Sequence, residues 1–246
     1  MMPNLKQWRA ARQAALVLCL ASAQAASAAS FNVNPIGFEL NPERASGALQ
    51  IRNTGDQVVR IQVSAVDWST DGRQEVLADT DALLLNPPIF AIEPGQTQFL
   101  RFGVRHPEHS ATEKSYRLLI DEVPPSGPQA SGLKTLLRVS IPVFIVPQKK
   151  QEKISWQLRR QAKGLVLMAA NDGNVHRKII GIQLNNSDSQ DGLQISTPAY
   201  ILPGQHKEWS LANGKIQAGA VRLQAQTDKG EIEEHLMLEA DQVSSR

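Results

Sequence analysis

The most distinctive hydrophobic pattern in this chain lies in residues 133–147. Apolar side chains recur there with a period of two, at Leu133, Leu137, Val139, Ile141, Val143 and Ile145. This period predicts a β-strand, and a strand of that length would extend for about 50 Å, more than twice the usual length. A segment rich in proline, residues 124–128, precedes it. We therefore expect the strand to begin at a sheet edge with free backbone hydrogen-bonding groups.

Two interpretations of this strand remain open on the pattern alone. It is either a long central strand of an immunoglobulin-like sandwich or an exposed apolar edge that pairs with another protein chain. An exposed apolar edge promotes aggregation, so a protein that keeps one usually uses it for binding.

The chain from Phe31 onward consists of short alternating runs separated by turn residues. Residues 49–52, 58–63 and 99–104 are examples, and no amphipathic helical pattern of ten or more residues interrupts them. This spacing is typical of antiparallel β-sandwiches. The polar and charged residues 148–153 are predicted to form a hinge between two such domains, at residues 29–147 and 154–246.

Two short motifs occur in the same order in both halves of the chain. Residues 53–58 resemble residues 171–175, and residues 92–96 resemble residues 201–205. Each motif has the composition of a turn that lets one strand reverse into the next. The repetition predicts two related sandwiches in tandem.

The first 28 residues have the three parts of a secretory signal. Lys6, Arg9 and Arg12 are followed by an apolar run, residues 14–21, and by small residues ending at Ala28. We expect cleavage after Ala28, with Ala23 and Ala25 as alternatives. The apolar run is too short to span a bilayer, so no membrane insertion is predicted.

Removal of this signal changes the chemistry of the chain. The single cysteine, Cys19, lies within the signal, so the mature chain is expected to form no disulfide. The remaining 23 basic and 24 acidic residues give a net charge of −1. A nucleic-acid partner is therefore not predicted.

No pattern of catalytic or metal-ligating residues stands out. His106 and His109 lie in a loop that contains a proline and lack helical ligand spacing. Asp121 and Glu122 are adjacent, and adjacent side chains of a strand point to opposite faces, so they cannot flank one scissile bond. We predict neither an enzyme nor a metal or cofactor site. The tryptophans Trp68, Trp156 and Trp209 are expected to be core residues.

Three blocks of sequence carry a resemblance to a known family. They are residues 87–101, residues 115–124 and the end of the long strand, residues 143–147. With these blocks the chain resembles the periplasmic chaperones of the chaperone–usher pathway of pilus assembly. The resemblance implies two immunoglobulin-like domains in an L shape, with a pilus subunit held in the cleft. It also implies a periplasmic location and an outer-membrane usher as a second partner.

The resemblance also assigns a role to the long strand. A pilus subunit is an incomplete immunoglobulin-like fold, and the chaperone lends its G strand to complete it. On the favoured register the donated residues are Leu133, Thr135, Leu137 and Val139, with Ile141 where the strand returns to its own core. A register shifted by one residue, with Leu136 in place of Leu137, remains an alternative.

The expected carboxylate anchor departs from the family pattern. The best-known members bind the subunit's C-terminal carboxylate with an arginine on the first strand and a lysine on the G strand. Alignment places Gly37 and Pro142 at these positions. This suggests the divergent archaic branch of the family, with Arg117 and Arg138 as the candidate anchor because a guanidinium matches a carboxylate through two parallel hydrogen bonds.

Two other classes of function explain the sequence less well. A secreted immunoglobulin-like binding or adhesion module would expose aromatic residues, yet the chain has only 12, including Trp8 in the signal. A secreted hydrolase would need a convergent set of polar residues, and the sequence offers none. Neither class accounts for the long apolar strand.

Overall fold

The computed structural model describes residues 31–72, 74–124, 135–161, 164–186, 192–212 and 216–239, and these residues form strands and connections without a helix. The predicted all-β fold of two immunoglobulin-like sandwiches is confirmed. The predicted secretory signal and Leu133 lie outside the described residues. No described segment has the helical length and apolar character needed to cross a membrane.

The described residues of the first sandwich form ten strands. In chain order they are β1 (Phe31–Asn34), β2 (Phe38–Leu40), β3 (Ser46–Asn53), β4 (Val59–Thr70), β5 (Glu75–Asp79), β6 (Leu83–Asn86), β7 (Ile89–Ile92), β8 (Thr97–Val104), β9 (Lys114–Val123) and β10 (Arg138–Ile145). One sheet has the order β1-β3-β8-β6, and the other has the order β2-β10-β9-β4-β5, with β7 also paired to β4. The inward residues of both sheets, such as Leu49, Ile61 and Leu118, are fully buried between them.

Eight strands make up the part of the second sandwich that the structure describes. They are β11 (Ile154–Gln161), β12 (Gly164–Asn171), β13 (Arg177–Asn186), β14 (Gly192–Ile195), β15 (Ala199–Ile201), β16 (His206–Leu211), β17 (Gly219–Thr227) and β18 (Gly230–Leu238). One sheet has the strand order β11-β12-β16. It faces a second sheet with the order β14-β13-β17-β18, in which β15 also pairs with β13. Trp156 and Trp209 stack in this core with ring centroids 6.2 Å apart, as expected of core tryptophans.

The sequence motifs that repeat in the two halves of the chain correspond to the same set of hydrogen bonds in both sandwiches. The amide of the fully buried Asn53 donates to the carbonyl oxygens of Gln57 and Ile92, at 2.7 and 2.8 Å, and its oxygen accepts from the Gly55 N–H at 2.9 Å. One side chain on β3 thereby fixes the turn after its own strand and the end of β7. The second sandwich has the same three contacts.

In the second sandwich the buried residue is Asn171. Its amide donates to the carbonyl oxygens of Val175 and Ile201, both at 2.8 Å, and its oxygen accepts from the Gly173 N–H at 2.9 Å. In both copies the turn that follows contains a glycine at positive φ, which other residues rarely adopt: Gly95 at 73° and Gly204 at 70°. The sequence motifs therefore repeat because the same buried amide needs the same turns.

A small aromatic cluster joins the two sandwiches. Trp68 and Phe144 of the first pack against Leu202 and Tyr200 of the second. The ring of His176 stacks on Phe144, with centroids 3.5 Å apart. Because Phe144 belongs to β10, the second sandwich contacts the same strand that the sequence singled out.

A buried polar pair strengthens this junction. His176 Nδ1 lies 2.8 and 2.9 Å from the two carboxylate oxygens of Glu113, and the His176 backbone N–H donates to the same group at 3.1 Å. The predicted hinge, residues 148–153, is held to the second sandwich through Asn174, which exchanges backbone and side-chain hydrogen bonds with Gln151. Motion at this segment stays a prediction.

We expect Asn53→Ala to lower the free energy of unfolding by about 2–4 kcal/mol, because three hydrogen bonds of about 1 kcal/mol each are lost and two carbonyl groups lose their donor. Urea denaturation followed by circular dichroism measures this. The matched control is Asn32→Ala, an exposed residue of β1, which should change stability by less than about 0.5 kcal/mol. Equal effects of the two substitutions would contradict the role given to the buried amide.

We expect Glu113→Ala to lower the free energy of unfolding by about 2–4 kcal/mol, because the buried backbone N–H and ring Nδ1 of His176 lose their hydrogen-bond partner. The measurement is the free energy of unfolding from calorimetry or urea titration. Glu108→Ala is the control, since the Glu108 side chain is 69% exposed and lies 3.8 Å from Lys114. A loss from Glu113→Ala no greater than that from the control would show that the pair does not stabilise the junction.

Candidate functional site

Strand β10 has one paired edge and one edge that is open over half its length. On one side it pairs with β9 along all eight of its residues. On the other side β2 pairs in parallel only with residues 143–145, and no other strand in the described part of the chain pairs with β10. Residues 138–142 therefore form an open sheet edge.

The register shows which backbone groups face that edge. The Glu122 N–H donates to the Leu137 carbonyl at 2.9 Å, so odd-numbered residues of β10 bond to β9. The Val146 N–H donates to the Leu40 carbonyl at 2.8 Å, so even-numbered residues point the other way. Because antiparallel bonds alternate in this manner, the N–H and C=O groups of Arg138 and Ser140 point to the open edge.

A proline explains why the pairing of β10 with β2 does not extend beyond Val143. Pro142 has no N–H, and its position in β10 would otherwise donate toward β2. Gly37 lies beside Pro142: a Cβ at Gly37 would be 3.6 Å from the Pro142 Cγ. The two positions that the sequence resemblance aligns with the expected cations are therefore adjacent here and uncharged.

The long strand is shorter than predicted. The sequence pattern predicted a strand over residues 133–147, whereas β10 covers Arg138–Ile145. Residues 135–137 continue the chain outside the strand, and the Leu137 N–H donates to the side-chain carboxylate of Glu122 at 3.3 Å instead of to a backbone carbonyl. The alternation of apolar and polar residues continues in the sequence beyond the last residue of β10 that pairs with β9. The pattern alone therefore could not show where the strand begins.

Odd-numbered and even-numbered side chains of this segment have different surroundings. Ile141 is 2% exposed in the core of the first sandwich, and Leu137 and Val139 are half-buried at the edge of the same core. On the other face, Leu136 is 42% exposed. Thr135 is also exposed, beside the residues that the structure does not describe. The predicted row of apolar side chains is thus buried at Ile141 and becomes more exposed toward Leu137, at the beginning of the strand.

Arg117 lies on β9 at the junction, opposite Pro142. Its side chain is 10% exposed, its guanidinium carbon lies 3.7 Å from the centre of the Trp68 ring, and Nη2 donates to the carboxylate of Glu75. Its Nε has no hydrogen-bond partner although it is buried. Sequence reasoning missed Trp68 and Glu75 as neighbours of Arg117, since Glu75 is 42 residues away along the chain.

Arg138 lies on the same face of the sheet but in a different environment. Its side chain is 67% exposed and binds Asp121 on β9 through two nitrogen atoms, with Nη2 at 3.1 Å. The hydrogen bond and the charge of Asp121 raise the pKa of Arg138 above its ordinary value. Four register positions separate Arg117 from Asp121, which is about 13 Å along a strand. The two candidate arginines are therefore separate sites in this structure.

A cleft of about 620 Å³ lies between the two sandwiches near Arg117. The first sandwich lines it with Trp68, Thr70, Gln74 and Glu75, and the second with residues 194–200 and 207–211. Within the described residues there is no group of three or more His, Cys, Asp or Glu side chains that could hold a metal ion.

Comparison with known proteins places these features in a family. Residues 30–151 match the family model described as pili and flagellar-assembly chaperone, PapD N-terminal domain. The uncharacterized fimbrial chaperone YhcA of Escherichia coli (strain K12) is 24% identical over 119 residues. That match covers 48% of this chain and 50% of YhcA, so the chain spans about half the length of this curated relative.

Solved structures of low identity share the fold over most of the chain. A chain from the CsuC–CsuE chaperone–tip adhesion subunit pre-assembly complex of the archaic Csu pili of Acinetobacter baumannii is 18% identical, with a TM-score of 0.67, 86% of this chain covered and 100% of that chain. A chain from the Salmonella enterica complex of the SafA pilin with the SafB chaperone is 17% identical, with a TM-score of 0.61, 87% of this chain covered and 99% of that chain. Through residues 30–151, this chain belongs to the family of pili and flagellar-assembly chaperones.

Proposed function

We propose that this protein is a periplasmic chaperone that binds pilus subunits by donor-strand complementation and delivers them to an outer-membrane usher. The observation that carries the proposal is the open edge of β10 over residues 138–142, which continues an apolar row. A partner with an incomplete sandwich lacks a strand, so it needs backbone groups to pair with its own and alternating apolar side chains to fill its core. The chaperone–subunit complexes among the similar structures support the same role.

The donated residues are those of the odd-numbered face: Leu133, Thr135, Leu137 and Val139, ending at Ile141 in the chaperone's own core. Leu137 and Val139 are half-buried, so each has apolar surface left to bury in a partner. Full burial of such a side chain is worth about 1.5–3 kcal/mol, so a few of them could hold a subunit. No ATP-binding motif occurs in the sequence, so we infer that a better-matched strand from the next subunit displaces the chaperone.

We further propose that Arg117 binds the subunit's C-terminal carboxylate and that Arg138 is a second cation at the exposed end of the same face. Arg117 lies beside the cleft between the sandwiches and has a buried Nε without a partner, so it has donor capacity left for an anion. The uncharged pair Gly37 and Pro142 supports placement in the archaic branch, where the anchor must come from other strands.

The first test concerns the register of the donated strand. We expect Leu137→Arg to abolish capture of a pilin encoded in the same gene cluster, because a charged side chain cannot enter an apolar groove. Co-purification from a periplasmic extract measures capture. Leu136→Arg, on the opposite face, is the matched control and should retain it.

The circular dichroism of both variants must match that of the wild type for this comparison to hold. If Leu136→Arg abolishes capture and Leu137→Arg does not, the donated register is shifted by one residue. If both variants still capture the pilin, donation of β10 is wrong. If Leu137→Arg unfolds, Leu137 belongs to the chaperone's own core.

The second test concerns the anchor. We expect Arg117→Ala to weaken pilin binding by about 1.5–3 kcal/mol, the usual worth of a hydrogen bond to a charged group. Arg138→Ala should weaken it less, because an exposed ion pair is screened by water. Arg101→Ala, an exposed arginine on the other sheet, is the control for loss of charge. Equal affinity of the Arg117→Ala and Arg101→Ala variants would remove Arg117 from the anchor.

A further inference from the structure

The pairing of Arg117 places a buried cation and an accessible anion side by side. The Arg117 side chain is 10% exposed, whereas that of Glu75 is 53% exposed. A buried guanidinium requires a nearby anion, because an uncompensated charge away from water is costly. Glu75 meets that requirement from β5, an edge strand whose five residues are all exposed.

The two partners differ in how easily they can move. Arg117 is held between strands of the central sheet, with its guanidinium on the Trp68 ring and 5.9 Å from the Tyr200 ring. Glu75 lies at the start of β5, at the edge of the sheet, and its side chain lines the cleft of about 620 Å³. A carboxylate entering this cleft would approach Arg117 from the side on which Glu75 now binds it.

The other carboxylate that lines the cleft is engaged elsewhere. Glu208 lines the same cleft and accepts a hydrogen bond from Arg159 Nη2 at 2.6 Å. Asp121, which lies on β9 four register positions from Arg117, is bound by Arg138. Glu75 is thus the carboxylate that the structure places on Arg117.

We propose that Glu75 is a placeholder carboxylate, bound to Arg117 in the unoccupied chaperone and exchanged for the C-terminal carboxylate of the subunit. This inference rests on the proposed function of Arg117 as the anchor. The exchange replaces one carboxylate by another, so the buried guanidinium is never left unpaired. Glu75 therefore stabilises the unoccupied chaperone and lowers its affinity for other anions, at the cost of some affinity for the subunit.

The test is a competition for the same pilin. Wild-type and Glu75→Gln chaperones with different tags are mixed with a limiting amount of a pilin encoded in the same gene cluster, and the ratio of the two complexes is measured once it no longer changes. Glutamine keeps the shape of the side chain but removes the competing charge. We expect the variant to capture roughly two- to fivefold more pilin, the range that a partly exposed ion pair implies.

Two controls make this result specific. Asp121→Asn removes the carboxylate from the exposed Arg138 in the same way and should change the ratio by less than about twofold, because that pair is more exposed. A pilin whose C-terminus is extended by several residues moves its carboxylate away from the anchor. With that pilin the advantage of Glu75→Gln should disappear.

The possible outcomes separate this inference from the proposed function. If Glu75→Gln gives no gain, or a loss, while Arg117→Ala still weakens capture, the anchor stands and the placeholder is wrong. If the gain persists with the extended pilin, Glu75 acts other than by competing with the carboxylate, which also overturns the inference. If neither Arg117→Ala nor Glu75→Gln alters capture, the anchor itself is wrong.

Discussion

The open edge of β10 beside an apolar core is the constraint on which the rest of this structure depends. Backbone groups in a sheet must be paired, and a sandwich that leaves a row of them unpaired needs a partner or a means of avoiding aggregation. Pro142 has no N–H to donate toward β2, so the contact with β2 is limited to residues 143–145. Farther along the same strand, Phe144 joins the second sandwich, so a single strand serves both the open edge and the domain junction.

The buried amides of Asn53 and Asn171 show why the two sandwiches could be recognised from sequence. Each amide oxygen accepts from a glycine N–H two residues later, and a second turn with a glycine at positive φ accompanies each amide. These requirements appear in the sequence as short local motifs. The alternation of β10 and the three core tryptophans were also predicted, because periodicity and burial are local properties. The end of β10 was not predicted, because the apolar period continues where pairing with β9 no longer does.

The pairs that shape the site have no local signal. Arg117 and Glu75 are 42 residues apart, and His176 and Glu113 are 63 residues apart and belong to different sandwiches. Such contacts depend on sheet order and on the packing of the two sandwiches, which a period in the sequence does not encode. Arg117 was selected from sequence for its charge and its strand, yet its burial on Trp68 and its carboxylate partner became visible only in the structure.

A binding protein without an energy source must hold its partner firmly and still release it. In the proposed strand donation, the half-buried Leu137 and Val139 would gain only part of the burial energy, because their own core already covers the rest. A guanidinium that exchanges one carboxylate for another likewise gains only the difference between two ion pairs. In both arrangements the positions of the contacts determine which partner binds, while the net affinity for that partner stays limited. A competing strand with slightly better contacts could then complete the exchange without any other source of free energy.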